Sequence, residues 1–171
     1  MSEQQPQAEF RSDMVVTRVF DAPVEEVWRY WAEPERFARW WGPTGFGVAK
    51  ADMDVRVGRK YLWCMTPPEG YLGPNPGNAG TFTEVVPGKL LRYVTQWSDD
   101  QGKALTADEA GMPDMPDDFS ETVKFEALPD GRTIMTYIEH DLPVNLMFAY
   151  SWVGMWQSLD KMEAALKADR G

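Results

Sequence analysis

The chain has 171 residues, 43% of them apolar, which suits one domain with a substantial core. Its net charge of −10 and acidic pI would repel a phosphate backbone or an anionic bilayer surface, so nucleic acid and membrane surfaces are excluded as partners. Eight Trp, eight Phe, six Tyr and ten Met either pack one thick core or leave some of their number to line a cavity.

Residues 1–13 begin MSEQQPQAEF, with neither a basic start nor an apolar centre, and read as a flexible polar tail rather than a signal peptide. One domain is expected over 14–168. No apolar run reaches the roughly 18 residues that would span a bilayer, so no membrane insertion is expected. The single Cys64 has no partner for an internal disulfide and fits a cytoplasmic protein.

Residues 14–20 are rich in β-branched side chains and predict a strand. A helix follows. Asp21 and Pro23 mark its start, Glu25 and Glu26 suit its first turn, and Val24, Val27, Trp28 and Trp31 share one face. Glu33 and Pro34 open a second short helix that carries Phe37, Trp40 and Trp41 and stops at Gly42 and Pro43. Six strands are predicted next, over 46–51, 60–66, 80–86, 90–97, 119–128 and 132–139. Pro87-Gly88 and Pro129-Asp130-Gly131 are tight-turn signals, so their flanking strands form antiparallel hairpins. Val123, Phe125 and Ala127 alternate with Lys124 and Glu126, the pattern of a sheet with one buried and one wet face.

Two segments read as loops. Residues 67–80 are full of Gly, Pro and Asn and connect strands, with a lid over a cavity mouth as the alternative reading. Residues 98–118 hold seven acids and one Lys, read as a solvated loop without calcium-ligand spacing. The last element, residues 145–168, is a helix about 36 Å long. Phe148, Trp152, Met155, Leu159, Met162 and Leu166 form one stripe along it. Leu146, Ala149, Tyr150, Val153 and Trp156 make its first half apolar all round, so something besides one sheet must cover it.

Four motifs carry a resemblance: FDAPVEEVWRYWAEPERFARWWGP at 20–43, DVRVG at 54–58, GTFTEVVPGKLL at 80–91 and WVGMWQSLDKM at 152–162. With this element order the chain resembles the START-like helix-grip superfamily (SRPBCC), and within it the family related to the C-terminal domain of the activator of heat-shock protein 90 ATPase. Arg59 stands where that family usually has a second Gly after Gly58, and Met155 stands where it usually has Trp after Gly154. The resemblance implies an α+β fold, a curved antiparallel sheet gripping the C-terminal helix, with an apolar cavity between them.

Trp63, Phe82, Tyr93, Trp97, Trp152, Met155 and Trp156 are the candidate cavity residues. Aromatic walls suit planar apolar ligands, and Met adapts to varied shapes. The first functional reading is a binding protein for a small apolar molecule, lipid-like, aromatic or polyketide-like, with no cofactor and no chemistry of its own. The alternatives are a chaperone-associated interaction protein, as the family name suggests, or a polyketide cyclase or hydrolase. A homodimer is left open. Catalysis would need a polar group in the cavity. Glu84 is the candidate, and it faces inward only if Phe82 does and alternation holds between them. Cys64 and His140 would be needed as neighbours for nucleophilic chemistry, and nothing places them together. The single His140 reads as a surface or capping residue, and without clustered Cys or His no metal site is expected. Asp54 and Arg56 share a strand face and predict a local structural ion pair.

Overall fold

The computed structural model describes residues 9–171. Its chain order is β1 (Arg11–Phe20), α1 (Val24–Ala32), α2 (Pro34–Phe37), β2 (Gly47–Asp52), β3 (Lys60–Thr66), β4 (Gly77–Val86), β5 (Leu90–Ser98), β6 (Asp118–Ala127), β7 (Thr133–Pro143) and α3 (Leu146–Arg170). The seven strands form one curved antiparallel sheet in the order β1-β7-β6-β5-β4-β3-β2. From β2 to β7 this is a meander, which short turns can build; β1 then closes against β7. Gly88 and Gly131 adopt positive φ (+71° and +85°) in the turns that join β4 to β5 and β6 to β7, which explains glycine at both. The predicted α+β helix-grip architecture is therefore present. No described helix is long and apolar enough to cross a membrane.

Two strand starts differ most from expectation. Residues 11–13, assigned to the tail, belong to β1, where Arg11 and Ser12 pair with Pro143 and Leu142. Residues 1–8 of that tail lie outside the described residues. β4 begins three residues early, at Gly77, because Gly77–Thr81 have partners on β5. At Gly80 the β5 backbone comes so close that a Cβ would stand 1.8 Å from the Val94 carbonyl oxygen.

One end of the sheet is filled by aromatic side chains from α1, α2 and the turn after α2. Trp31, Phe37 and Trp40 are fully buried. Phe37 and Trp41 lie 4.5 and 5.1 Å, ring to ring, from Trp63 on β3, which stacks on Tyr61 at 4.0 Å. Lys161 on α3 donates to the carbonyls of Gly42 (2.9 Å) and Phe46 (2.8 Å) and so fixes that turn. Asn145 caps α3 by accepting from the Phe148 amide at 3.0 Å. Met155, Leu159, Met162 and Leu166 bury their part of the predicted stripe, whereas Trp152 turns outward at 43% exposure.

Candidate functional site

A cavity of about 360 Å³ lies between the sheet and the first half of α3. This is the small end of the size range of ligand sites, roughly 300–1,000 Å³. Trp41, Pro43 and Phe46 of the turn after α2 form one wall. Residues 67–76 contribute Tyr71, Pro74 and Pro76, and the acidic loop contributes Met112 and Met115. The helix presents Met147, Tyr150, Ser151, Gly154, Met155 and Ser158, spaced by three and four so that they share a face beside the core stripe. Neither loop is a plain connection. Trp97 explains part of this: its indole N–H donates to the Pro116 carbonyl at 2.9 Å and its ring packs on Phe119 at 5.4 Å, drawing the acidic loop over the cavity.

The floor is polar. Glu121 on β6 and Glu139 on β7 are directly opposite in register, both face inward, and are only 4% and 8% exposed. The Tyr137 hydroxyl lies 2.5 Å from Glu121 Oε1 and 2.8 Å from Glu139 Oε1. A phenol has one proton and can donate to one carboxylate only. The second short contact therefore requires a proton on the other carboxyl, donated to the Tyr137 oxygen. Like charges directly opposite across a ladder repel, which favours the same singly protonated state. Burial pushes Glu121 up to about 8, with the Glu139 charge as the second cause, and pushes Glu139 up to about 7. The network continues from Glu121 to Thr95, which donates to it, and from Thr95 to Tyr61 at 2.6 Å. The Tyr93 hydroxyl is buried nearby without a hydrogen bond. Burial and the Glu121 charge raise the Tyr61, Tyr93 and Tyr137 hydroxyls well above the usual phenol range, so all three stay neutral.

Of the seven residues expected at the cavity, Trp97 and Met155 line it. Trp63, Phe82 and Tyr93 face inward but are sealed off at the aromatic-filled end of the sheet, where Phe37 and Trp41 cover Trp63. Trp152 and Trp156 lie on another side of α3, against each other at 6.0 Å, with the Arg18 guanidinium 5.7 Å from the Trp156 ring. Glu84 is corrected as well. Phe82 does point inward, but a bulge at Thr83 adds one residue between them, so Glu84 turns out to solvent and pairs with Arg92 at 2.9 Å. Cys64 on β3 and His140 on β7 are four strands apart, roughly 19 Å. His140 instead bonds Thr122 Oγ1 at 2.8 Å. Asp54 and Arg56 form the expected surface ion pair. Among the described residues, no group of three His, Cys, Asp or Glu could hold a metal.

The sequence did carry a signal for the floor. Glu121 has the same parity as Val123 and Phe125, and Glu139 the same parity as Met135 and Tyr137, all of them buried. Alternation continued two residues further along each strand places both acids inside.

The family model of the Activator of Hsp90 ATPase homolog 1-like protein matches residues 21–167. The chain belongs to this family. Solved structures with the same fold include a protein of Chromobacterium violaceum, 25% identical, with a TM-score of 0.73 over 91% of this chain and 96% of that one. A protein of Silicibacter pomeroyi that carries the family's name is 20% identical, with a TM-score of 0.73 over 92% and 99% of the two chains. A protein of Mycobacterium smegmatis is 21% identical, with a TM-score of 0.70 over 91% and 88%. No functionally curated protein matches this member of the family.

Proposed function

We propose that this family member binds a small, mainly apolar molecule in the cavity, with one polar group of the ligand against the Glu121–Tyr137–Glu139 floor. The observation that carries this reading is the 360 Å³ cavity itself, walled by aromatic and Met side chains and ending on buried carboxyls. Packing usually eliminates such voids. A few convergent polar groups at the end of an apolar cleft are the usual make-up of a ligand site. A cytoplasmic setting fits the unpaired Cys64.

The cyclase or hydrolase reading loses Glu84 and gains a better-placed proton-sharing pair. Binding without turnover is preferred because neither Cys64 nor His140 is among the residues that line the cavity. Association with a chaperone is supported by the family's name alone.

A thermal-shift screen tests the proposal, using apolar compounds that carry one hydrogen-bonding group, against the protein and Met155→Trp. A true ligand at a hundredfold excess over its dissociation constant stabilises by about 2.7 kcal/mol, which raises the melting temperature by several degrees. Met155→Trp puts a larger ring into the cavity and should sharply reduce the shift while leaving the protein folded. A screen in which no compound shifts the wild type counts against the proposal.

A further inference from the structure

We infer that the ligand is a monovalent apolar cation, an amine or quaternary ammonium ion on an aromatic or short alkyl body, whose head pairs with Glu139 and Glu121. This rests on reading the cavity as a ligand site. Four independent features of the cavity point to it.

The first is an open acceptor. Tyr137 meets Oε1 of Glu139, and no described residue hydrogen-bonds its Oε2, although the side chain is buried and lines the cavity. The second is unbalanced charge. One shared proton leaves the ionised pair with a net charge of −1, and the cavity lining contains no Lys, Arg or His. Lys161, the cation beside the turn after α2, is already spent on backbone carbonyls. A buried charge without a partner is unfavourable, and a ligand cation would supply that partner. Third, Trp41, Trp97, Phe119 and Tyr150 line the cavity, and aromatic faces attract cations once water is excluded. Fourth, the acidic loop over the cavity and the net charge of −10 give a field that draws cations in and turns fatty acids and other anions away.

The groups facing the pair are neutral on every side: Tyr61 from β3, Tyr93 and Thr95 from β5, Tyr137 from β7, Ser151 and Ser158 from α3, and Met112 and Met115 from the loop. Any pH response of binding therefore belongs to the pair.

Benzyltrimethylammonium and its neutral carbon isostere neopentylbenzene separate charge from shape. Their affinities are measured by calorimetry and ligand-observed NMR between pH 6 and pH 8. The cation should bind at least about tenfold more tightly than the isostere at pH 8. Its affinity should rise with pH, by up to about tenfold per unit, most steeply at the acid end of this range, because the cation binds the singly protonated pair and must displace the second proton that the pair holds at lower pH. Since the ammonium charge is permanent, that slope reports the protein alone. Calorimetry in two buffers of different ionisation enthalpy should show proton release on binding. Glu139→Gln should lose the preference and the pH slope yet keep the isostere; if it fails to fold, Glu121→Gln serves in its place. Equal or tighter binding of the isostere, or an unchanged cation affinity in the Gln variant, overturns the cation and leaves a neutral-ligand site. Binding of neither probe overturns both readings.

Discussion

At the residue scale, the site turns on two glutamates that would each be ionised in the unfolded chain near pH 4.3. In the folded chain, burial holds Glu121 at about 8 and Glu139 at about 7. Between these limits the native state binds more protons than the unfolded state. Stability is then fully present below about pH 4.5 and declines as pH rises towards 8. This is opposite in sign to the usual contribution of a salt-bridged carboxylate, whose stabilisation grows with pH. The slope should be on the order of 1 kcal/mol per pH unit for each proton retained. Urea unfolding from pH 5 to pH 8 checks it. Glu121→Gln keeps a hydrogen-bonding group of the same size and removes the repulsion, so it should flatten the slope and raise stability at pH 8. A wild-type curve that rises with pH over this interval would exclude a protonated pair. Structure of this kind is retained at a cost to stability, which supports a role for the pair beyond packing.

At the element scale, a bulge and a glycine decide what the cavity contains. The bulge at Thr83 turns Glu84 outward and keeps Phe82 inside, so the only predicted acid leaves the site. No residue of GTFTEVV marks that extra position, because a bulge is set by the fit of β4 to its neighbours and not by local propensity. Alternation was legible along β6 and β7, where nothing interrupts the ladder, and the inner acids could have been found there. The two loops were legible as loops. Their place over the cavity was not, since it depends on the long-range contacts of Trp97 and on the packing of Phe46 against Tyr71 at 5.0 Å. The long helix was legible in its second half, where the apolar stripe meets the core, and less so in its first, where cavity and solvent divide its faces. Gly154 sits there, mid-helix, where glycine costs about 1 kcal/mol relative to alanine. An added Cβ would meet only Pro43, at 3.9 Å, which is ordinary contact. Gly154→Ala should therefore stabilise the protein by roughly 0.5–1 kcal/mol in denaturant unfolding. It should also narrow the cavity and weaken ligand binding. A loss of stability would mean that this backbone needs glycine for a reason other than space.

At the scale of the whole molecule, the two ends of the helix-grip body are held differently. At one end, Asp169 near the C-terminus of α3 accepts from Tyr30 (2.6 Å), Arg36 (2.7 Å) and Arg39 (2.7 Å), joining α3 to α1 and the α2 region. The Tyr30 hydrogen bond, followed by the Arg39 contacts, holds Asp169 down at about 2. Arg18 on β1 adds ion pairs to Asp160 and Glu163. At the other end, Leu146 and Tyr150 are about 60% exposed, and beneath them is the cavity instead of packed core. Local opening follows the density of buried contacts, so the helix should open from its first half while the clamped half stays closed. Native-state hydrogen exchange should show amides of residues 150–157 exchanging at least about tenfold faster than those of 159–166, a difference of about 1.4 kcal/mol in opening free energy. A bound ligand should slow the first group and leave the second unchanged. Asp169→Asn should do the converse, speeding exchange in the clamped half with little effect around Gly154. Uniform exchange along α3 would show that the helix opens as one unit and that the cavity is entered by movement of the 67–76 and 99–117 loops alone.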